Sequence, residues 1–254
     1  MKTHRLYGWA RAKVPMALRQ RIRMFSRRWL VWPPLGWVRF GCLRRLTPIS
    51  SRFGLDRGLP VDRYYIESFL KRNEVDIRGR VLEIGDPTYT KRFGGSHVTR
   101  SDVLHAVSGN PAATVVGDLT TGLGIPQNAF DCIILTQTLP FIYDVRSAIQ
   151  NVYVSLKPGG VVLASVPGIS QISRYDMDRW GDFWRFTPLS ARRLFQEAFP
   201  EEAVSVESYG NVLTAVAFLH GLVTEELRAS ELAYNDRDYP VIITIRAQKP
   251  ETIP

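Results

Sequence analysis

Short apolar runs alternate with helical segments over most of the chain. Runs rich in aliphatic and β-branched residues predict seven strands, at residues 80–84, 97–101, 113–117, 130–136, 160–166, 203–208 and 240–247. Alternation of strands with helices is typical of a parallel sheet covered by helices on both faces. We therefore predict an α/β fold that is doubly wound and Rossmann-like, with a seven-stranded, mostly parallel sheet.

Helical periodicity marks the segments between these strands. Apolar residues at helical spacing predict one helix at residues 62–71 and another after the fourth strand, stopped by Lys157-Pro158-Gly159-Gly160. Thr187 and Pro188 predict the N-cap and first position of a further helix. Near the N-terminus, residues 15–31 have the pattern of a basic helix that ends before Pro33-Pro34.

Charge divides the chain into two parts. The formal net charge is +9, and residues 1–50 hold twelve Lys or Arg and no Asp or Glu. The remainder is slightly acidic, so the positive charge belongs to an N-terminal arm that also carries Trp9, Trp29, Trp32 and Trp37. We predict a basic, aromatic-rich helical arm at residues 1–58 and one α/β domain at residues 59–254.

Cysteine content and hydropathy bear on the compartment. Cys42 and Cys132 are the two cysteines, and Cys132 lies in an apolar run where a buried free thiol is expected. No stretch of 18 or more apolar residues exists, so no membrane-spanning helix is expected. No His, Cys and Asp cluster has metal-ligand spacing, and we expect no metal. These features favour a cytoplasmic protein.

Acidic residues follow three predicted strands. Glu83 and Gly85 end the first strand, Asp102 follows the second, and Asp118 follows the third. The carboxyl ends of parallel strands open the crevice in which doubly wound sheets bind ligands. A carboxylate after the second strand would accept both ribose hydroxyls of a nucleoside, and one after the third would accept the exocyclic amine of adenine. Each acidic residue alone is equally compatible with a helix cap or a solvated loop.

Five segments in register resemble a known family. Val-Leu-Glu-Ile-Gly at 81–85, Ser-Asp-Val at 101–103, Gly-Asp-Leu at 117–119, the strand at 130–135 and Leu-Lys-Pro-Gly-Gly at 156–160 have the order and spacing of class I S-adenosylmethionine-dependent methyltransferases, of the methyltransferase type 11-like kind. The resemblance covers residues 62–247. It implies that the protein is a methyltransferase with S-adenosylmethionine as its cofactor.

The resemblance also implies which residues hold the cofactor. Glu83 and Gly85 would lie beside the methionine part, Asp102 would hold the ribose, and Asp118 with Leu119 would frame the adenine. The segment that begins Thr136-Gln137 would face the reacting methyl group. The full predicted cofactor set is Glu83, Gly85, Asp86, Tyr89, Asp102, Val103, Asp118, Leu119, Thr136 and Gln137.

The glycine loop departs from the family pattern. The family continues its first glycine as Gly-x-Gly-x-Gly, whereas this chain reads Gly85-Asp86-Pro87-Thr88-Tyr89. Glycine at positions 87 and 89 would let the backbone approach a ligand more closely. An alternative is that Asp86 caps and Pro87 starts a short helix whose free N–H groups point at the methionine carboxylate, although Asp86 adds negative charge there.

A long loop after the fifth strand is the candidate acceptor site. Its Asp, Arg, Tyr and Trp side chains suit stacking on sugar rings and hydrogen bonding to hydroxyls, although the aromatic residues could equally pack the loop onto the sheet. The predicted substrate-binding residues are Tyr143, Arg174, Tyr175, Asp176, Asp178 and Trp184. For a hydroxyl acceptor, Asp176, Asp178 or Tyr143 could act as a base, but no spacing singles one out, and no catalytic residue is assigned.

The arm and the loop together shape the functional expectation. Positive charge beside tryptophans suits an anionic membrane surface better than RNA, although RNA methylation would also fit a basic arm. We expect O-methylation of a sugar or other small hydroxylated acceptor, on a membrane-linked envelope glycan, by an enzyme held peripherally at the inner membrane face. Two alternatives stay open: a catalytically silent S-adenosylmethionine-binding module and an RNA methyltransferase. A dinucleotide enzyme is disfavoured because no Gly-x-Gly-x-x-Gly follows the first strand.

Overall fold

A computed structural model of the chain describes residues 32–251. The residues fall into two units, Met1–Leu46 and Thr47–Pro254. The second unit contains a seven-stranded sheet, which confirms the predicted strand number. Its strands are β1 (Gly79–Ile84), β2 (Val98–His105), β3 (Val115–Val116), β4 (Phe130–Thr136), β5 (Leu156–Pro167), β6 (Val204–Tyr209) and β7 (Ile242–Gln248).

The sheet is doubly wound and mostly parallel, as predicted. Its strand order is β3-β2-β1-β4-β5-β7-β6. β7 is antiparallel to both of its neighbours, and the pairings among β1 to β5 are parallel. The chain winds outward from β1 to β3 and then returns to β4 beside β1. The direction of winding therefore reverses between β1 and β4, where open sheets of this kind form a ligand crevice at the carboxyl ends of the strands.

Helices connect the strands. The α-helices are α1 (Val61–Arg72), α2 (Val145–Ser155), α3 (Arg174–Met177), α4 (Pro188–Gln196), α5 (Val212–Leu219) and α6 (Ala229–Ala233). A π-helical turn at Thr90–Gly94 follows β1. Short 3-10 turns lie at Gly41–Leu43, Glu74–Asp76, Gly95–His97, Leu139–Phe141, Glu201–Ala203 and Thr224–Glu226.

Apolar clusters cover both faces of the sheet. On one face, Leu82 and Ile133 belong to a buried cluster with residues of α2 and α4. On the other, Val81 and Cys132 belong to a cluster with residues of α1 and α5. Cys132 is a fully buried free thiol, as expected, and burial raises its pKa above the ordinary range. Both faces of the sheet are therefore buried, and a ligand would have to bind at the strand ends.

Polar caps fix where the helices begin. Thr187 caps α4 by accepting from the amide of Ser190 at 3.1 Å, while Ser190 Oγ accepts from the amide of Thr187 at 3.0 Å. This confirms the predicted N-cap, with Pro188 at the first helical position. Asn211 caps α5 by accepting from the amides of Leu213 and Thr214.

The second strand is longer than predicted. The sequence placed its end at residue 101, whereas β2 continues to His105. Leu82 pairs with Asp102 and Ile84 pairs with Leu104, so Asp102 lies within the sheet. The predicted position of Asp102 at the strand end is therefore wrong.

The N-terminal part is described from residue 32. In the first unit, Trp32, Trp37 and Phe40 are exposed. The predicted basic helix at residues 15–31 lies outside the described residues. The domain boundary predicted at residue 58 stays a prediction. Among the helices that the structure describes, none is both long and apolar enough to cross a membrane.

Candidate functional site at the strand ends

Gly85 presents bare backbone at the end of β1. Its φ is +84°, and no described heavy atom lies within 4 Å of the position where a Cβ would stand. Its amide donates to the carbonyl of Leu104 at 3.0 Å, and its carbonyl accepts from Asn110 Nδ2 at 2.8 Å. A side chain at this position would project into open space at the switch point, where glycine instead permits close approach of a ligand.

Glu83 orders the loop that follows. The side chain is 3% exposed and accepts from the amides of Tyr89 at 3.0 Å and Thr90 at 2.7 Å. Burial raises the pKa of Glu83, and these hydrogen bonds oppose the rise. Asp86 is exposed and accepts from the amide of Thr88 at 2.9 Å. Carboxylate caps therefore hold the backbone where the family pattern has additional glycines.

Asp102 is held in an ion-pair network inside the sheet. It is 1% exposed, with Arg80 Nε 2.6 Å away, Thr114 Oγ1 at 2.9 Å and Arg100 Nε at 3.2 Å. Burial opposes ionisation, but the hydrogen bonds from Arg80, Thr114 and Arg100 outweigh it and leave the pKa of Asp102 lowered. These partners hydrogen-bond both oxygens of the carboxylate. Val103 is also buried in the strand, away from its end.

His105 occupies the strand end that Asp102 was expected to hold. Its ring centroid lies 5.9 Å from that of Trp180, in an edge-to-face arrangement. The amide of Gly117, just beyond β3, donates to the carbonyl of His105 at 3.1 Å. The carboxyl end of β2 therefore presents an imidazole ring packed against an indole ring.

The two residues predicted to frame an adenine lie in different surroundings. Asp118 is exposed and accepts from the amide of Thr120 at 2.8 Å and from Thr121 Oγ1 at 3.2 Å, which shapes the turn after β3. Leu119 is 6% exposed and belongs to the core on the face of α2. Asp118 therefore lies at the strand-end edge, whereas the side chain of Leu119 packs in the core.

Gln137 adopts a strained conformation at the end of β4. Thr136 is the last residue of that strand, and Gln137 follows with φ of +49°, which is uncommon for a residue with a side chain. Its amide donates to the carbonyl of Ser165 at 2.9 Å. Its side-chain Nε2 is buried and has no hydrogen-bond partner in the described part of the chain. Strain and an unpaired buried donor at one residue are typical of a functional site.

A cavity of about 150 Å³ opens beside Gln137. Its lining includes Asp62 of α1, Phe53, Asp176, Asp182 and Arg185. Oδ1 of Asp62 is buried and, among the described residues, also has no hydrogen-bond partner. Burial raises the pKa of Asp62 to about 6. The cavity thus contains an unpaired acceptor as well as an unpaired donor.

An ion pair closes one wall of this cavity. Arg185 Nη1 lies 2.5 Å from Asp182 Oδ1, and the Asp182 side chain is 1% exposed. Burial opposes the ionisation of Asp182, but hydrogen bonds from Arg185 and the amide of Ser173 outweigh it, so its pKa is lowered. Arg185 also donates to the carbonyl of Gln171 at 2.5 Å. The long loop after β5 is therefore held in place by its own polar contacts.

The predicted substrate residues do not form one group. Asp176 lines the cavity and accepts from Ser173 Oγ. Tyr143 stacks on Trp184 at 5.9 Å, and Trp184 Nε1 donates to the carbonyl of Ile142 at 3.1 Å. The other three residues are exposed around α3: Arg174, Tyr175 and Asp178. Only Asp176 of the six predicted residues lies in the wall of this cavity.

Sequence reasoning missed Asp62, Asp182 and Arg185. The sequence signal at Asp62 was a carboxylate in the first turn of a helix, which is ordinarily explained by the helix dipole. Asp182 and Arg185 are three residues apart in a loop, with no periodic pattern to indicate that they pair. Among the described residues, no group of three or more His, Cys, Asp or Glu side chains is placed to hold a metal ion.

Comparison with known proteins agrees with the fold. Residues 89–164 match the family described as Methyltransferase domain. No curated protein sequence is similar enough to count as a relative. The [4+2]-cyclase SpnF aligns at 17% identity over 74% of this chain and 82% of its own, with a TM-score of 0.50. Because that neighbour is a cyclase, the fold does not fix the reaction.

Two further solved structures align with this chain. A S-adenosylmethionine-dependent methyltransferase from Archaeoglobus fulgidus is 14% identical over 74% of this chain and 94% of its own, with a TM-score of 0.48. The N-methyltransferase NodS from Bradyrhizobium japonicum WM9, solved with S-adenosylhomocysteine, is 14% identical over 80% of this chain and 95% of its own, with a TM-score of 0.49. Residues 89–164 therefore match the sequence of a methyltransferase domain, and they lie within a doubly wound, mostly parallel seven-stranded sheet.

Proposed function

We propose that the protein is a S-adenosylmethionine-dependent methyltransferase that methylates a hydroxyl of a sugar or another small hydroxylated acceptor. One observation carries the proposal. Bare backbone at Gly85 lies at the topological switch point, in the same set of strand ends as a cavity with an unpaired donor on Gln137 and an unpaired acceptor on Asp62. A donor site beside such a cavity is what transfer between two bound molecules requires.

The residues at the strand ends fit the cofactor in most respects. Gly85 leaves room for the methionine part, since a Cβ would stand in open space there. The exposed Asp118 and the ring of His105 lie at the ends of the next two strands, where the nucleoside would bind. We propose His105, in place of Asp102, as the residue nearest the ribose. When bound, S-adenosylmethionine would supply an electrophilic methyl group on a sulfonium.

The chain's own residues favour an active enzyme over a silent binding module. A strained Gln137 and an unpaired Asp62 both destabilise the fold, and residues of this kind cluster where a protein uses them. An RNA acceptor would need a broad basic surface. Instead, Arg185 in the cavity wall forms an ion pair with Asp182. A small hydroxylated acceptor suits a cavity of about 150 Å³.

The N-terminal arm supports a membrane-linked acceptor. Trp32 is 81% exposed and Trp37 is 61% exposed, and Arg39, Arg44 and Arg45 follow closely. Aromatic rings beside basic side chains bind the headgroup region of anionic membranes. We propose that the arm holds the enzyme peripherally at such a surface, where it meets a lipid-linked envelope glycan.

Transfer of label tests this function. The full chain is incubated with S-adenosylmethionine carrying a labelled methyl group and with a cell-envelope extract, and the extract is then separated into lipid-linked and water-soluble fractions. We expect base-stable label, as in a methyl ether, in the lipid-linked fraction. Label in RNA would favour the RNA methyltransferase alternative, and no transfer to any fraction would favour a silent binding module.

A further inference from the structure

Two polar atoms in the cavity are left without partners. Oδ1 of Asp62 can accept a hydrogen bond and Nε2 of Gln137 can donate one, and both are buried and unpaired within residues 32–251. Buried polar groups are almost always paired, because desolvation without a hydrogen bond is unfavourable. An acceptor and a donor that share a cavity therefore indicate a ligand group that both donates and accepts.

The two residues reach the cavity from different parts of the fold. Asp62 lies in the first turn of α1, and Gln137 lies at the end of β4, where its backbone is fixed by φ of +49° and by the hydrogen bond to Ser165. A residue with a side chain at this φ is strained, and strained residues cluster at functional sites.

The surrounding charges leave Asp62 as the unpaired carboxylate of the cavity. Asp182 is neutralised by Arg185, and Asp176 accepts from Ser173. Arg63, next to Asp62 on α1, and the amides of the first helical turn favour the ionised form of Asp62, while burial opposes it more strongly. Asp182 and Asp176 therefore each have a side-chain partner, whereas no side chain among residues 32–251 forms a hydrogen bond or ion pair with Asp62.

The charge of Asp62 acts on the loop that follows Gly85. The pKa of Tyr89 is raised to about 12, mainly by burial; Arg63 opposes the rise, and the negative charges of Glu67 and Asp62 contribute to it. Tyr89 therefore lies within electrostatic reach of Asp62. Its amide is held by Glu83, two residues before Gly85. Asp62 is thus close to the loop at which the methyl donor is proposed to bind.

We propose that Asp62 and Gln137 together bind the acceptor hydroxyl, with Asp62 as the base. The hydroxyl donates to Asp62 Oδ1 and accepts from Gln137 Nε2. As the new O–CH3 bond forms and the S–CH3 bond of the sulfonium breaks, the hydroxyl proton passes to the Asp62 carboxylate and then to water. The products are a methyl ether and a neutral thioether. This inference rests on the proposed function and names the residues that carry it.

Binding of hydroxylated probes tests the proposal without turnover. Saturation-transfer NMR follows a panel of methyl glycosides of common hexoses and deoxyhexoses added to the full chain saturated with S-adenosylhomocysteine. We expect at least one glycoside to bind, and Asp62→Asn and Gln137→Ala to weaken that binding at least tenfold. Glu74→Gln is the matched acid-to-amide control, since Glu74 is an exposed partner of Lys71, and it should bind as the wild type does.

Calorimetry with S-adenosylhomocysteine separates the possible failures. Asp62→Asn is expected to bind this product as tightly as the wild type, and an unchanged circular dichroism spectrum shows that both variants are folded. If the wild type binds S-adenosylhomocysteine but no glycoside, or if the variants bind glycosides unchanged, the inference is overturned. If the wild type does not bind S-adenosylhomocysteine, the proposed function itself fails.

Discussion

Replacement of Asp102 by alanine is expected to lower the free energy of unfolding by about 3 kcal/mol. The Asp102 carboxylate is buried between the guanidinium groups of Arg80 and Arg100. Removing the carboxylate leaves Arg80 without its counter-charge. The Arg80 side chain is only 23% exposed and lies over the ring of Phe130. Loss of one partner of a buried pair costs more than the pair contributes, because the remaining charge stays desolvated.

Urea unfolding of the Asp102→Ala variant measures this effect. Glu74→Gln removes a carboxylate from the exposed pair with Lys71 and should change the unfolding free energy by less than about 0.5 kcal/mol. A different result would support the expectation from the sequence that Asp102 binds the cofactor. If Asp102→Ala unfolds like the wild type but loses affinity for S-adenosylhomocysteine, Asp102 binds the cofactor and the ion-pair account is wrong.

Replacement of Asp62 by asparagine is expected to stabilise the protein at neutral pH by about 2 kcal/mol. The pKa of Asp62 is raised to about 6 in the folded protein by burial. The folded state therefore holds this proton more tightly than the unfolded state does. The corresponding stability is complete below the unfolded pKa of Asp, near 3.9, and is lost as pH rises through about 6. Asparagine has no such proton to lose.

Unfolding of wild type and Asp62→Asn at a series of pH values tests whether the substitution raises the free energy of unfolding. We expect wild type and Asp62→Asn to be about equally stable near pH 3, since Asp62 is then mostly neutral in both states, and to diverge by about pH 7 in favour of the variant. A variant that is less stable than the wild type at neutral pH would mean that a partner stabilises the carboxylate. A stability gain with loss of binding is the usual trade at a functional site.

The hydrophobic pattern was sufficient to predict the architecture of the sheet. Seven apolar runs predicted seven strands, and Thr187 with Pro188 predicted the start of α4, because periodicity and caps act locally. Asp102 could not be placed in the same way. A charged residue next to an apolar run ordinarily indicates a strand end, and the Arg80 that allows it to remain inside the sheet comes from the neighbouring strand β1.

The candidate site depends on long-range geometry that the sequence does not show. The predictions of Gly85 and Gln137 rested on family order, and both lie at strand ends in the structure. Asp62 was missed because the absence of a hydrogen-bond partner is visible only once α1 is packed against the sheet. The burial of the Leu119 side chain could not be predicted for the same reason, since either side of the turn after β3 could have faced the crevice.

Calorimetric titration of the full chain with S-adenosylmethionine, S-adenosylhomocysteine and NAD tests the central claim most directly. We expect saturable one-site binding of the first two and none of NAD. We also expect Gly85→Val to lose at least tenfold in affinity, whereas Gly95→Val should not; Gly95 is exposed and, like Gly85, has positive φ and open space at its Cβ position. Binding of NAD alone, or equal affinity for S-adenosylhomocysteine in both glycine variants, would contradict it.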